Sequence, residues 1–204
     1  MRIALFDYGT GNLHSLGKAV EGAGARVFIT RSLEEAVDAD GLVLPGVGAF
    51  GQAAASLRAH LTPLRRSLEA GYPCLGVCLG MQILFTESEE SKGPGLDFIP
   101  GRARILPASV VPQMGWNHVE TSSDPLFRGI KNLVAFYANS YVCEPEDDET
   151  AIAWSEYEGF RFVAGVRRAN TWGVQFHPEK SSLQGRRVVA NFVELARSAR
   201  EGGP

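Results

Sequence analysis

Pro73-Cys74-Leu75-Gly76-Val77-Cys78-Leu79-Gly80 begins as an apolar run of strand length and leads into Leu79 to Phe85, which has the character of a helix start. At the junction stands Gly76-x-Cys78-x-Gly80, a nucleophile elbow with cysteine in the place of serine. A turn this tight needs tiny residues two before and two after its centre. It lifts the central side chain out at the carboxyl edge of a sheet. The helix beginning there brings a dipole that favours thiolate and free backbone N–H groups that can hold an oxyanion. The competing reading is an inert buried cysteine in a glycine-rich turn, the usual state of a free cysteine.

Toward the N-terminus, Ile3–Phe6, Arg26–Thr30, Gly41–Leu44 and Pro73–Val77 read as strands, each nearly all apolar. Between them lie a helix over Leu13–Ala23, with Leu13, Leu16, Ala19 and Val20 on one face, and a short helix Leu33–Val37 after Ser32 as N-cap. Two further helical stretches follow, divided near Pro63. Apolar strands alternating with helices imply a parallel sheet covered on both faces. Beyond Arg102 the segments are short and β-rich. Val110–Val111, Val134–Tyr137, Ala151–Trp154, Arg161–Arg167 and Trp172–Phe176 read as strands. Gln184–Arg200 reads as a helix whose stripe of Val188, Val189, Phe192, Val193 and Ala196 is core. The expectation is an α/β fold of three layers, with a mostly parallel central sheet, helices on both faces and a β-rich second half. With no internal repeat, linker or low-complexity tract, residues 1–204 are expected to form one domain.

The 204 residues are 45% hydrophobic and 21% charged, with a formal net charge of −3, as expected of an ordinary globular protein. The basic residues are scattered, which argues against a nucleic-acid partner. The acidic run from Glu144 to Glu149 reads as a solvated loop. The apolar start of the chain is too short for a signal peptide, and there is no 18-residue apolar run, so no membrane span and a cytoplasmic location are expected. Three cysteines, Cys74, Cys78 and Cys143, are an odd number without a disulfide framework, and neither they nor the four histidines have metal-site spacing. No metal or cofactor is expected.

A cysteine nucleophile needs a base. His14 and His60 fall in helical segments and His118 in a β-like run after Trp116-Asn117. His177 ends the apolar strand of Trp172-Gly-Val-Gln-Phe-His-Pro-Glu179. Pro178 forces an extended conformation on it, and residues i and i+2 of an extended stretch share a side, so Glu179 can reach its ring. The result is a Cys–His–Glu arrangement; the alternative is a satisfied histidine at a strand end. Cys74 reads as core. Pro45-Gly46-Val47-Gly48-Ala49-Phe50-Gly51 also fits G-x-G-x-x-G, but it follows the third strand, and Cys78 stands where an acidic ribose ligand would be wanted. A glycine-rich loop giving the elbow a second oxyanion N–H is the better use. Asp7-Tyr8-Gly9-Thr10-Gly11-Asn12 ends the first strand and borders the same crevice.

Gly76-Val-Cys-Leu-Gly-Met-Gln82 together with Gln175-Phe-His-Pro-Glu179 resembles the class I (triad) glutamine amidotransferases. Asp7–Asn12, Leu44-Pro-Gly-Val-Gly-Ala-Phe50, Pro112-Gln-Met-Gly-Trp-Asn117 and His177-Pro-Glu-Lys-Ser181 narrow the resemblance to the glutaminase subunits of imidazole glycerol phosphate synthase. The resemblance implies glutamine hydrolysis through a thioester on Cys78, with His177 moving protons and Glu179 holding it. Gly46, Val47 and Leu79 would supply or position oxyanion donors. Gly48, Gln82 and Glu90 would help hold glutamine, and the backbone at Ser140 and Tyr141 its carboxylate. Ammonia would pass to a separate cyclase subunit, a (β/α)8 barrel, which makes imidazole glycerol phosphate and an aminoimidazole carboxamide ribotide. Asn12, Trp116, Asn117 and Lys180 would face that partner. The family commonly has histidine before the Ser-Tyr pair, where this chain has Asn139, a residue that cannot titrate. Two alternatives stand beside this reading. A glutaminase serving pyridoxal phosphate synthesis would carry Gly-Gly-Glu-Ser after its strand, where Gly46-Val-Gly-Ala49 stands; a catalytically silent scaffold would have lost a triad member.

Overall fold

Three of the four apolar runs of the first half become strands buried on both faces, because helices cover the sheet from both sides, whereas Arg26–Thr30 forms the edge strand and leaves Ile29 exposed. The computed structural model describes residues 1–9, 13–46 and 48–201. In chain order the elements are β1 (Arg2–Phe6), α1 (Leu13–Gly22), β2 (Arg26–Thr30), α2 (Leu33–Val37), β3 (Gly41–Leu44), α3 (Phe50–Leu57), α4 (Leu61–Glu69), β4 (Cys74–Val77), α5 (Leu79–Ile83), β5 (Phe85–Ser88), β6 (Ser91–Pro94) and β7 (Ile99–Ile105). They continue with β8 (Gln113–Thr121), β9 (Leu133–Asn139), β10 (Tyr141–Pro145), β11 (Ala151–Tyr157), β12 (Phe160–Arg168), β13 (Thr171–Val174) and α6 (Ser182–Glu201).

The strands form one mixed sheet in the order β2-β1-β3-β4-β13-β12-β10-β7-β5-β6, with β11, β8 and β9 branching from β12. From β2 to β13 every pairing is parallel. Beyond β13 the pairings are antiparallel apart from β5 with β7. Side chains alternate across the parallel strands and divide the core. Ile3, Leu5, Val43, Leu75 and Val77 pack with Leu16 and Val20 of α1 and with Val188, Val189, Phe192 and Val193 of α6. Ala4, Phe6, Leu42, Leu44 and Cys74 pack on the other face with α2, α3 and α4 through Leu33, Phe50, Leu57 and Leu64. These are the three layers expected from the sequence.

Ser32 caps α2 as its sequence position predicts, accepting a hydrogen bond from the Glu35 N–H at 3.2 Å. The boundary expected near Pro63 lies instead at a 3-10 turn, Arg58–His60. Pro63 sits inside the first turn of α4, where its missing N–H has no helical partner to lose. Val110–Val111 is not a strand: Val110 is exposed in the loop before β8, so no burial holds it extended. The acidic run is only partly loop, since Glu144 lies in β10 and pairs with Arg104 at 2.5 Å.

Close backbone approach dictates the residue types around the elbow. A Cβ on Gly80 would meet the Leu44 carbonyl oxygen at 2.0 Å, and one on Gly76 would meet the Gly80 oxygen at 2.5 Å. A Cβ on Gly46 would stand 2.5 Å from the Val77 oxygen. Between the two elbow glycines Cys78 takes φ 48° and ψ −104°, a conformation L-residues avoid. Its N–H donates to the Val174 oxygen at 2.7 Å and its carbonyl accepts from Gln82 N at 3.1 Å, so strand and helix both hold the strained residue. Gly80→Ala is therefore expected to cost about 3 kcal/mol or more, through a clash with backbone that cannot yield. Urea unfolding checks this; a variant within about 1 kcal/mol of wild type would mean that the strand–helix contact is loose.

Candidate active site

β3, β4 and β13 are parallel neighbours, so the segments after their carboxyl ends converge. They bring Gly46, Cys78 and His177 to one cavity of about 260 Å³. Gly46, Gly48, Cys78, Leu79, Gln82, Glu90, Ser140, Tyr141, His177 and Lys180 line it together with Ala138 and Asn139. Val47 and Asn12, singled out from the sequence, lie outside the described residues.

Cys78 is 5% exposed and His177 2% exposed. His177 Nδ1 lies 2.9 Å from Glu179 Oε1, and His177 and Cys78 line the same cavity. The contact with Glu179 is the one expected, but its route differs. His177 itself is extended at φ −97°, whereas Pro178–Lys180 forms a 3-10 turn that swings Glu179 back to the ring. The histidine backbone is clamped: its N–H donates to the Phe136 oxygen at 2.8 Å, and its carbonyl accepts from Ser181 Oγ at 2.6 Å. Ser181 Oγ also accepts from the Phe136 N–H at 2.9 Å, tying this turn to β9.

Burial alone would push His177 down, toward the neutral ring. The neighbouring Cys78 and the Glu179 carboxylate outweigh it and raise the imidazole to about 9. Burial raises the thiols of Cys74 and Cys143, so neither is a nucleophile at neutral pH.

The neighbouring segments have definite tasks. Ala49, the N-cap of α3, has no side-chain acceptor to offer, and Glu90 Oε2 takes its place by accepting from Phe50 N at 3.0 Å. An anion thus already occupies the helix start that a dinucleotide pyrophosphate would need, and Gly46 is pressed against the elbow. These two contacts remove the nucleotide reading of Gly46–Gly51. Asn139 donates from Nδ2 to the Tyr141 oxygen at 3.0 Å, bracing the turn that presents Ser140. Among the described residues, no group of three or more His, Cys, Asp or Glu side chains is placed to hold a metal.

The residues expected to face a partner divide. Trp116 is 55% exposed and meets Phe136 edge-on at 6.1 Å; Lys180 lies over the same ring at 5.7 Å. Asn117 does not join them, because neighbours on β8 point to opposite sides; its Nδ2 donates to the Glu156 oxygen at 2.8 Å. Two residues at the site were not singled out from the sequence. Phe136 is the hub of the exposed patch. Gln175, fully buried, donates from Nε2 to Cys78 Sγ at 3.4 Å. Its spacing of two before His177 was the available signal.

The family described as Glutamine amidotransferase class-I matches residues 4–195. A HisH subunit of imidazole glycerol phosphate synthase from Moorella thermoacetica is 45% identical over 98% of both chains. The chain belongs to the class-I glutamine amidotransferases, among the HisH subunits. The HisH subunit from Methanothermobacter thermautotrophicus is 43% identical over 96% of this chain and 100% of its own. Among solved structures, a glutamine amidotransferase superposes with a TM-score of 0.77 at 18% identity, covering 96% of this chain and 99% of that one. A chain of PurLQS from Thermotoga maritima does so at 0.74 and 17%, covering 97% of each. Both share the fold.

The charge on His177 is open to direct test. Imidazole NMR of the wild type is expected to show His177 titrating near pH 9. Cys78→Ala and Glu179→Gln each remove a group that favours the charged ring, so each lowers the midpoint. Wild-type midpoints in both variants would show that neither neighbour sets the ring's charge.

Proposed function

We propose that this chain hydrolyses glutamine to glutamate and ammonia on Cys78 and passes the ammonia to a cyclase subunit of imidazole glycerol phosphate synthase. The observation that carries the reading is the convergence of Cys78, His177 and Glu179 on one small cavity. Its volume of about 260 Å³ falls below the ~300–1,000 Å³ of sites for drug-sized ligands and suits a single amino acid.

The thiolate attacks the side-chain amide carbon of glutamine, and the carbonyl electrons move onto oxygen. Leu79 N–H, at the start of α5, has no intrahelical acceptor and is available to that oxyanion; Gly46 and Gly48 line the cavity beside it. His177, charged below about pH 9, gives its proton to the departing nitrogen, and ammonia leaves a thioester behind. Water then attacks the thioester carbon, His177 takes its proton, and the thiolate is released with glutamate. Glu179 keeps the ring oriented through both halves and favours its charged form each time it holds the proton. Gln82 and Glu90 line the cavity where the substrate's amino-acid head would sit, and Ser140 and Tyr141 the side for its carboxylate. One domain over residues 1–204 carries this chemistry, in the cytoplasm. No helix among the described residues is long and apolar enough to cross a membrane.

The cyclase, a (β/α)8 barrel on this reading, docks over the mouth of the cavity, where Trp116, Phe136 and Lys180 form a patch beside the triad. Asn12 belongs to the same proposed face.

With the cyclase and its nucleotide substrate present, Cys78→Ala is expected to lower glutamine-dependent turnover by more than about 10³-fold while sparing turnover with added ammonia. Loss of both would mean that Cys78 supports the assembly and not the chemistry. Trp116→Ala should weaken the complex about ten-fold or more, as an exposed aromatic anchor does. Titration calorimetry reads this, and unchanged affinity would place the docking face elsewhere.

A further inference from the structure

We propose that Gln175 is a catalytic residue, whose side-chain amide donates a hydrogen bond to the Cys78 sulfur and holds it as thiolate alongside His177. The inference rests on Cys78 being the nucleophile and goes beyond that reading by giving the sulfur a second, uncharged partner.

Gln175 follows directly after β13, the strand that pairs with β4 in register up to Val174 and Val77. Its backbone N–H donates to the Ala164 oxygen at 2.9 Å, and two residues later His177 is fixed to β9 through the Phe136 oxygen. With the backbone held on both flanks, residues 175 and 177 face the same way and Phe176 turns into the core, where it is fully buried. Both polar side chains therefore converge on Cys78.

The amide makes an unusual bargain there. Nε2 lies 3.4 Å from Sγ, while Oε1 is buried with no hydrogen-bond partner. An unsatisfied buried carbonyl is a standing cost to the fold, and a residue of similar length without polar atoms would avoid it. What glutamine offers in return is an N–H aimed at sulfur. A thiolate can only accept, so this donor favours the ionised form over the thiol. Through the catalytic cycle the bond weakens when sulfur is tied up in the neutral thioester. It strengthens again when water adds to the thioester carbon, the carbon–sulfur bond breaks and its electron pair returns to sulfur. Gln175 thus assists release of the thiolate more than the first attack, because a donor that stabilises a thiolate also tempers its nucleophilicity.

The titratable groups around the sulfur are His177, backed by Glu179, the Cys143 thiol on β10, and Glu90, Tyr141 and Lys180 along the cavity. Substituting Gln175 alters none of them, so a change in thiolate formation reads the amide alone.

The test is the pH dependence of Cys78 alkylation by iodoacetamide in the full chain, with the labelled site located by mass spectrometry. In Gln175→Met the half-maximal pH should rise by about half a unit or more, giving about three-fold less reaction below it, while thermal unfolding stays like wild type. Gln175→Glu, which sets a carboxylate against the sulfur, should move it further. Acid quenching of the glutamine reaction with the cyclase complex should trap more thioester in Gln175→Met than in wild type. A folded Gln175→Met with a wild-type alkylation midpoint overturns the proposal. Should that variant fail to fold, Gln175→Asn, which draws the amide back from sulfur, carries the same two outcomes. Alkylation needs neither glutamine nor partner. A shifted midpoint in a chain without glutaminase activity would therefore overturn the glutaminase reading alone, and an active glutaminase with an unshifted midpoint would overturn the role of Gln175 alone.

Discussion

The backbone of Gly80 lies so close to the carbonyl of Leu44 that no side chain fits between them, and the geometry of the site descends from that contact. It brings the first turn of α5 onto the end of β3, which leaves one residue to reverse the chain between β4 and the helix. That residue is Cys78, and the reversal is what puts it at positive φ. The strain, of order 1–3 kcal/mol, is held in place by the bond to Val174 on one side and by α5 on the other. The same crowding presses Gly46 against the elbow. Nucleophile, helix start and neighbouring loop are thus one packing solution.

Electrostatics then operate inside a frame that is already fixed. Burial works against the charge on His177, and the neighbouring Cys78 and Glu179 outweigh it. Glu179 is carried on a proline-initiated turn, and that turn packs against α6 where Gly185 leaves room for the Pro178 carbonyl. Glu90 acts by the same logic at longer range, since its carboxylate completes α3 from forty residues away and lines the substrate cavity at the same time. Glu90 is held by the backbone of α3, and Glu179 is carried by its turn to the ring. This is how a site keeps its geometry while protons move.

The parallel half and the triad were legible because they rest on local signals: continuous apolar runs, an N-cap serine, and glycines at fixed offsets from a cysteine. Gly41–Leu44 and Leu33–Val37 coincide with their expected bounds for that reason. The antiparallel half was less legible. β7 carries Arg102 and Arg104, and β8 carries Gln113, Asn117, His118 and Glu120, so neither reads as an apolar run. Their pairing depends on partners far along the chain, as with β10 on β7. Val110–Val111 shows the converse, two β-branched residues with nothing to pair against. The function of Glu90 as a cap and the contact of Gln175 with sulfur are tertiary facts. Only the spacing of Gln175 from His177 hinted at the second.

β9 joins the exposed surface to the buried chemistry without an intermediary. Phe136 offers its ring to Trp116 and Lys180 outside, and its backbone to His177 and Ser181 inside. Asn139, three residues on, braces the turn at Ser140 that walls the cavity. Because Asn139 has no ionisable group, whatever passes along β9 at this point passes through packing and hydrogen bonds, without a proton changing hands there. On the reading proposed above, a subunit seated on Trp116 and Phe136 rests on the strand that clamps the catalytic histidine. The partner face and the triad are then two sides of one short segment, joined through Phe136.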